Sequence, residues 1–294
     1  MSVGATEGHR ELGAQSAGKA QRGDNPDNRT SGMAFKRKLL LVNLGIVMLL
    51  VLLFVWFEFD TAFMLEWLPY LLKGVPLTLV ICFGGIALAT VLALLGALGR
   101  LSSNAIPQGI ANFYVSIVRG TPLLVQIFFI FFALPQLAFK PGSPAFLENL
   151  FVLQLTVAAI LALGINYGAY MTEIFRAGIQ SIGHGQLEAA HALGMTAGQS
   201  MRRIVLPQAV RVVVPPTGNE FIAMLKDSSL VGLVGGQELF FRAQTTGQAE
   251  ARTFEMFAVA ALIYWFLTSV FSFFQKRLEE KVARGHVREQ LHVH

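Results

Sequence analysis

Six stretches of this chain run for roughly twenty residues with almost no charge: 39–57, 75–98, 112–138, 152–171, 204–225 and 256–274. At about 1.5 Å per residue, a helix of nineteen or twenty residues extends about 30 Å, the thickness of a bilayer's hydrocarbon core. The pattern predicts an all-α polytopic membrane protein with about six transmembrane helices. Composition agrees, because charged residues make up 14% of the chain against about 25% in soluble domains. Too few charges are present to cover a folded ball in water. A soluble enzyme, a disordered linker and a disulfide scaffold are excluded; Cys82 is the single cysteine and forms no intrachain bridge.

Residues 1–35 are polar, with no apolar period, and are expected to form a disordered cytoplasmic tail. Lys36-Arg37-Lys38 then precedes the run Leu39 to Phe57. That run begins too far from the N-terminus and lacks a small-x-small cleavage site, so residues 36–60 read as a membrane anchor rather than a signal peptide. The main membrane domain is expected over 72–285, with 286–294 as a cytoplasmic tail. The fifth span should be the least regular, because Pro207, Pro215 and Pro216 each remove a helix hydrogen bond and Gly218 follows. Irregular backbone at membrane depth survives only in protein or beside a wet cavity, so this span is expected to face a pathway.

Basic residues give the orientation. With a cytoplasmic N-terminus, 17 of the 23 Lys and Arg fall in segments predicted to lie inside, leaving Lys73, Arg119, Lys140, Lys226, Arg242 and Arg252. That asymmetry fits the positive-inside rule, and accounts for a net charge of +5 without nucleic acid.

Enzymatic motifs are missing from the sequence. No GxxxxGK[ST] loop cradles ATP phosphates, and neither a GxSxG elbow nor an HExxH helix occurs. His184, His191 and the tail histidines lack Cys or carboxylate partners at ligand spacing, so no metal and no cofactor are expected.

Chemistry concentrates between the fourth and fifth spans. Helix formers run from Gln186 to Leu193, and Gly194 stands where a left-handed C-terminal cap would fall. Thr196 and Gln199 then have capping-box spacing for a second helix leading to Ile204-Val205-Leu206-Pro207. Taken alone, this is a short helix, a sharp turn and another helix. An amphipathic loop helix lying on the membrane would look similar.

The sequence Glu188-Ala189-Ala190, with Gly194 four positions on and then Ile204-x-Leu206-Pro207, resembles the EAA motif of ABC importer permeases. Three further segments resemble the polar amino acid uptake type (histidine, glutamine and glutamate permeases): Val118 to Gln126, Glu173 to Ile179, and Lys226-Asp227-Ser228-Ser229-Leu230. The resemblance covers about 72–285. Gly183 stands where the family often has proline, and Ser228 where threonine is usual. The family's five-helix core would then occupy 72–285, with the first span as an additional N-terminal helix.

The resemblance implies a coupling helix that docks in a separate cytoplasmic ATPase. Glu188 would present a charge to it, Ala189 and Ala190 would allow close packing, Gly194 would permit the turn, and Ile204, Leu206 and Pro207 would complete the motif. It also implies an external substrate-binding protein, a second permease subunit (the same chain or a similar one), a polar amino acid as cargo and the bacterial inner membrane as location. A secondary transporter driven by an ion gradient also uses broken helices, but gives no reason for the Glu188 loop. An intramembrane enzyme would need a nucleophile facing a base, and the spans hold no such set.

Charged residues at membrane depth are costly and mark function. Arg119 either lines the pathway, where it could hold a carboxylate, or has a structural role, capping carbonyls around Gly120-Thr121-Pro122 or sitting at the bilayer interface. Thr121, Pro122 and Gln126 join the pathway candidates from the same motif. Asn219 and Glu220 follow the expected helix break. Lys226 and Asp227 could pair with each other or meet an external partner, with Ser228 beside them. Glu173 and Arg176, three apart on one face, could form an ion pair.

Overall fold

The structure, a computed structural model, describes residues 26–56, 58–144 and 146–290. It divides into two compact units, Met1–Phe59 and Asp60–His294. The first holds helix α1, Pro26–Trp56, which begins within the stretch expected to be an unstructured tail. The rest of that tail, residues 1–25, and the last four residues of the chain lie outside the described residues. At 31 residues, α1 exceeds the twenty or so needed to cross a bilayer.

The second unit runs α2 Thr61–Leu72, α3 Val75–Arg100, α4 Ala105–Arg119, α5 Leu123–Ala138, α6 Phe146–Phe151 and α7 Leu155–Gln180. It continues through α8 His184–Ala192, α9 Leu206–Asp227, α10 Leu239–Ala249 and α11 Thr253–Gln290. Local chemistry starts these helices where side chains can satisfy free backbone N–H groups. Asp60 accepts from the N–H of Phe63 at 3.0 Å, and Asn104 from that of Ile106 at 3.0 Å.

At the centre, α3 and α7 run parallel in a register that repeats every turn. Gly84 lies against Ile160, Leu88 against Gly164, Leu92 against Gly168 and Gly96 against Thr172. Each step sets a glycine opposite a larger side chain. In lipid the hydrophobic effect does not drive helices together, so close van der Waals packing through small residues must do so. At Gly168 the space is fully used: a Cβ there would lie 2.6 Å from the Tyr114 hydroxyl and 2.9 Å from Leu92 Cβ. α9 passes antiparallel to both, with Met224 against Gly85 near one end and Val213 against Gly178 near the other. Ile81, Leu163, Met171, Met224 and Leu225 are fully buried where the three meet.

The third predicted span differs from expectation. Residues 105–138 form two helices, α4 and α5, bent by 105° at Gly120-Thr121-Pro122. Among the described residues α3, α7 and α11 are long and apolar enough to cross a membrane singly, and α4 with α5 would cross only as a bent pair.

The expected break in the fifth span is also corrected. α9 is continuous through Pro215, Pro216 and Gly218. Gln275 of α11 supports it there, donating from Nε2 to the Pro215 carbonyl at 2.6 Å, and Gly218 leaves room for that side chain. Irregularity sits at the two ends instead: a π turn at Met201–Val205 before α9 and a 3₁₀ helix at Ser228–Val234 after it. A second π turn, Phe129–Ala133, lies inside α5. Each π turn ends just before a Leu-Pro pair, Leu134-Pro135 and Leu206-Pro207. Proline has no N–H and its ring would strike the carbonyl four residues back. The N–H of each leucine instead reaches five residues back, to Phe129 and Met201, and the wider turn relieves the clash without ending the helix.

Candidate functional site

The loop between α7 and α9 is fixed at both ends by local bonds. α8 ends in a Schellman arrangement: Met195 N–H donates to Ala190 O at 3.0 Å and Gly194 N–H to His191 O at 2.9 Å. Gly194 takes φ +74°, a left-handed conformation that costs other residues energy. One residue after Met195 the predicted capping box is present. Gln199 Oε1 accepts from Thr196 N–H at 2.9 Å, and Thr196 Oγ1 from Gln199 N–H at 3.3 Å. Gln208 of α9 donates to Gln186 of α8, and also to the Ile204 carbonyl at 3.1 Å, tying the loop helix to α9.

These restraints display one face of α8 and bury another. Glu188 and Ala189 are exposed, and Leu193 is 82% exposed. Ala190 is only 1% exposed. Its small side chain therefore packs within the chain, whereas Ala189 stands on the open face. Ile204 is half-buried, while Leu206 and Pro207 are exposed at the start of α9.

A second constellation lies where α3, α4 and α7 meet. Glu173 forms ion pairs with three arginines: Arg100, the last residue of α3; Arg119, the last of α4, at 3.9 Å; and Arg176 at 2.9 Å. The Arg119 guanidinium also lies 5.1 Å from the Tyr170 ring centre, a cation–π contact. Arg176 goes on to Gln180 at 2.6 Å. The predicted Glu173–Arg176 pair is present as part of this larger cluster. Arg119 does not cap the carbonyls at the bend. Gln126 does, donating to Val118 O at 2.7 Å and Thr121 O at 3.1 Å, with Thr121 Oγ1 at 2.8 Å. Thr121 and Pro122 are exposed at the corner itself.

Polar groups inside the helices form a third set. Gln126 Oε1 accepts from Asn166 Nδ2 at 3.1 Å, and Tyr167 donates to Asp227 Oδ2 at 2.8 Å. Asp227 thus turns inward, and among the described residues no ion pair joins it to Lys226, which is exposed. Ser228 is buried and bonds back to the Leu225 carbonyl at 2.8 Å. Glu220 is half-buried and Asn219 exposed, both on an intact helix.

Arg100, Asn166, Tyr167 and Glu238 are residues that sequence reasoning missed. Glu238 is fully buried. It caps α10 by accepting from Phe240 N–H at 2.9 Å and Phe241 N–H at 2.7 Å, and takes the Tyr264 hydroxyl at 2.6 Å. Polar Asn166 inside an apolar span was the one visible signal; the others depend on partners far along the chain.

With this geometry in hand, residues 85–284 match the family described as the binding-protein-dependent transport system inner membrane component. The chain belongs to this family. The permease is 37% identical over 227 residues to the probable amino-acid permease protein YxeN of Bacillus subtilis (strain 168), covering 76% of this chain and 96% of that one. It is 35% identical over 225 residues to the glutamine transport system permease protein GlnP of Escherichia coli (strain K12), covering 76% and 98%. A crystal structure of an amino acid ABC transporter with histidines superposes with a TM-score of 0.68 at 34% identity, covering 76% of this chain and 99% of that one. The permease is thus a helical transport subunit of the inner membrane and not itself an enzyme; ATP hydrolysis belongs to a separate chain of the importer.

Proposed function

We propose that this permease carries a polar amino acid across the inner membrane, received from an external binding protein and driven by an ATPase docked on α8. The observation that carries the reading is the α8 loop: Glu188 and Ala189 stand exposed on a helix held by a Schellman cap, a capping box and the Gln186–Gln208 bond. A force applied there passes through Met201–Val205 into α9, whose far end carries Asp227 against Tyr167 of α7. The names of the relatives support an amino acid as cargo.

In this reading the N-terminus is cytoplasmic, supported by the 17 basic residues that fall inside. A second permease subunit, identical or similar, completes the pathway. Gln126, Asn166, Tyr167, Glu220 and Asp227 supply polar groups beside it, and an α-ammonium or carboxylate would find partners among them. Glu188, Ala189, Gly194, Ile204, Leu206 and Pro207 form the coupling element, and Ala190 seats it.

The test is uptake into vesicles. Uptake should follow ATP on the ATPase side and persist when the ion gradient is collapsed. Glu188→Arg should lower uptake and ATPase association while the binding protein still captures its ligand. Unchanged uptake after replacing both Glu188 and Gly194 would sink the coupling role.

A further inference from the structure

We propose that the arginine cluster of α3, α4 and α7 holds the phosphate of an anionic phospholipid, with an acyl chain in the slot between α3 and α4. Charge is the first argument. Arg100, Arg119 and Arg176 converge on Glu173, which is the only carboxylate paired with any of them among the described residues. Three fixed positive charges against one negative leave an excess of two. Each guanidinium offers five N–H donors, whereas one carboxylate has about four lone-pair sites. The side chains are 26%, 44% and 32% exposed in the same order, so an anion can reach them. A phosphate, with several acceptor oxygens, matches the fork geometry of arginine.

Depth is the second argument. α3 has 26 residues and extends about 39 Å, longer than the hydrocarbon core of about 30 Å. Arg100, at its end, therefore lies at headgroup level, not among acyl chains. On the orientation proposed above, this is the cytoplasmic leaflet, where anionic lipids attract basic residues and basic pockets between helices take lipid headgroups.

An adjoining apolar slot separates a lipid from a soluble anion. A cavity of about 330 Å³ runs between α3 and α4, lined by Leu92, Leu95, Gly96, Gly99, Ile110 and Tyr114 among others. Gly96 is one turn before Arg100 on the same face of α3. Leu95 and Ile110 are 62% and 66% exposed, so the slot opens to the surrounding bilayer. A free phosphate has no use for an apolar slot leading away from its charge site; a phospholipid does.

The experiment is native mass spectrometry of the full-length permease with its partner subunits, from bilayers of equal phosphatidylglycerol and phosphatidylcholine. Retained phosphatidylglycerol is expected to exceed phosphatidylcholine. Arg100→Gln and Arg176→Gln should each lower that retention about fivefold, Arg100→Lys should keep most of it, and Arg242→Gln, outside the cluster, should leave it unchanged. Unfolding temperature in phosphatidylcholine alone shows whether each variant is folded. Equal retention of the two lipids overturns the proposal, as does retention unaltered in both glutamine variants or abolished by excess inorganic phosphate. Because the readout is bound lipid, a failure of the transport reading would leave this result standing.

Discussion

Arg100 and Glu173 close the parallel helices α3 and α7 at one end with an ion pair. Glu173 also neutralises part of the charge of Arg119 and Arg176, so the two partners are not equivalent. Glu173→Ala leaves three guanidiniums facing one another and should lower the unfolding temperature more than Arg100→Ala. The double variant should show a coupling of about 1 kcal/mol, modest because both side chains are about a quarter exposed. Additive losses in thermal unfolding would mean that the pair contributes no stability.

Gly194 holds φ +74° with nothing within 4 Å of a would-be Cβ. Space is free, so any penalty there comes from the backbone alone. Gly194→Ala should cost about 1–2 kcal/mol locally, whereas Gly194→Asn, which tolerates the left-handed region better, should cost less. Hydrogen exchange at Met195, whose N–H closes the Schellman bond, is the direct measurement. Protection of that amide should fall in the order glycine, asparagine, alanine.

Gly183, just before α8, is the opposite case. Its φ is −57°, a value proline adopts, and no atom lies within 4 Å of a Cβ built there. Gly183→Pro should raise stability by about 0.5 kcal/mol by restricting the unfolded chain, without loss of uptake. A fall in unfolding temperature would show that the Gly183 N–H or the preceding residue resists the ring.

Gly168 tests the central packing. Valine there would meet Leu92 and the Tyr114 hydroxyl, and that hydroxyl donates to the Ile165 carbonyl at 2.7 Å. Overpacking of this kind costs about 1–3 kcal/mol, with a stranded hydroxyl in addition. Gly168→Val should therefore unfold earlier than Gly168→Ala, and Tyr114→Phe should recover part of the valine variant's loss.

What could be read along the chain was local. The Gly194 cap and the Thr196–Gln199 box depend on residues a few positions apart, so their spacing along the chain is enough to reveal them. The bend at Gly120-Thr121-Pro122 falls inside an apolar run read as one span, 112–138, and is held by Gln126, which ties back to carbonyls at Val118 and Thr121. Pro215 and Pro216 misled because proline removes hydrogen bonds without dictating what replaces them. Here Gln275, sixty residues on, supports the helix, and no local pattern announces that. The same holds for Arg100 and Glu238, whose importance appears only once distant helices bring their partners.

The interlocked register of α3 and α7 restricts how this protein can move. Sliding one helix along the other by one turn would set Leu88 against Ile160 and Gly96 against Gly168, opening voids and collisions together. The two helices must therefore travel as one beam. Displacement arriving from the α8 loop has to be absorbed where the backbone already departs from the α-helix, at Met201–Val205 and Ser228–Val234. Those two short segments are the joints of the machine, and the glycine-notched pair beside them is its strut.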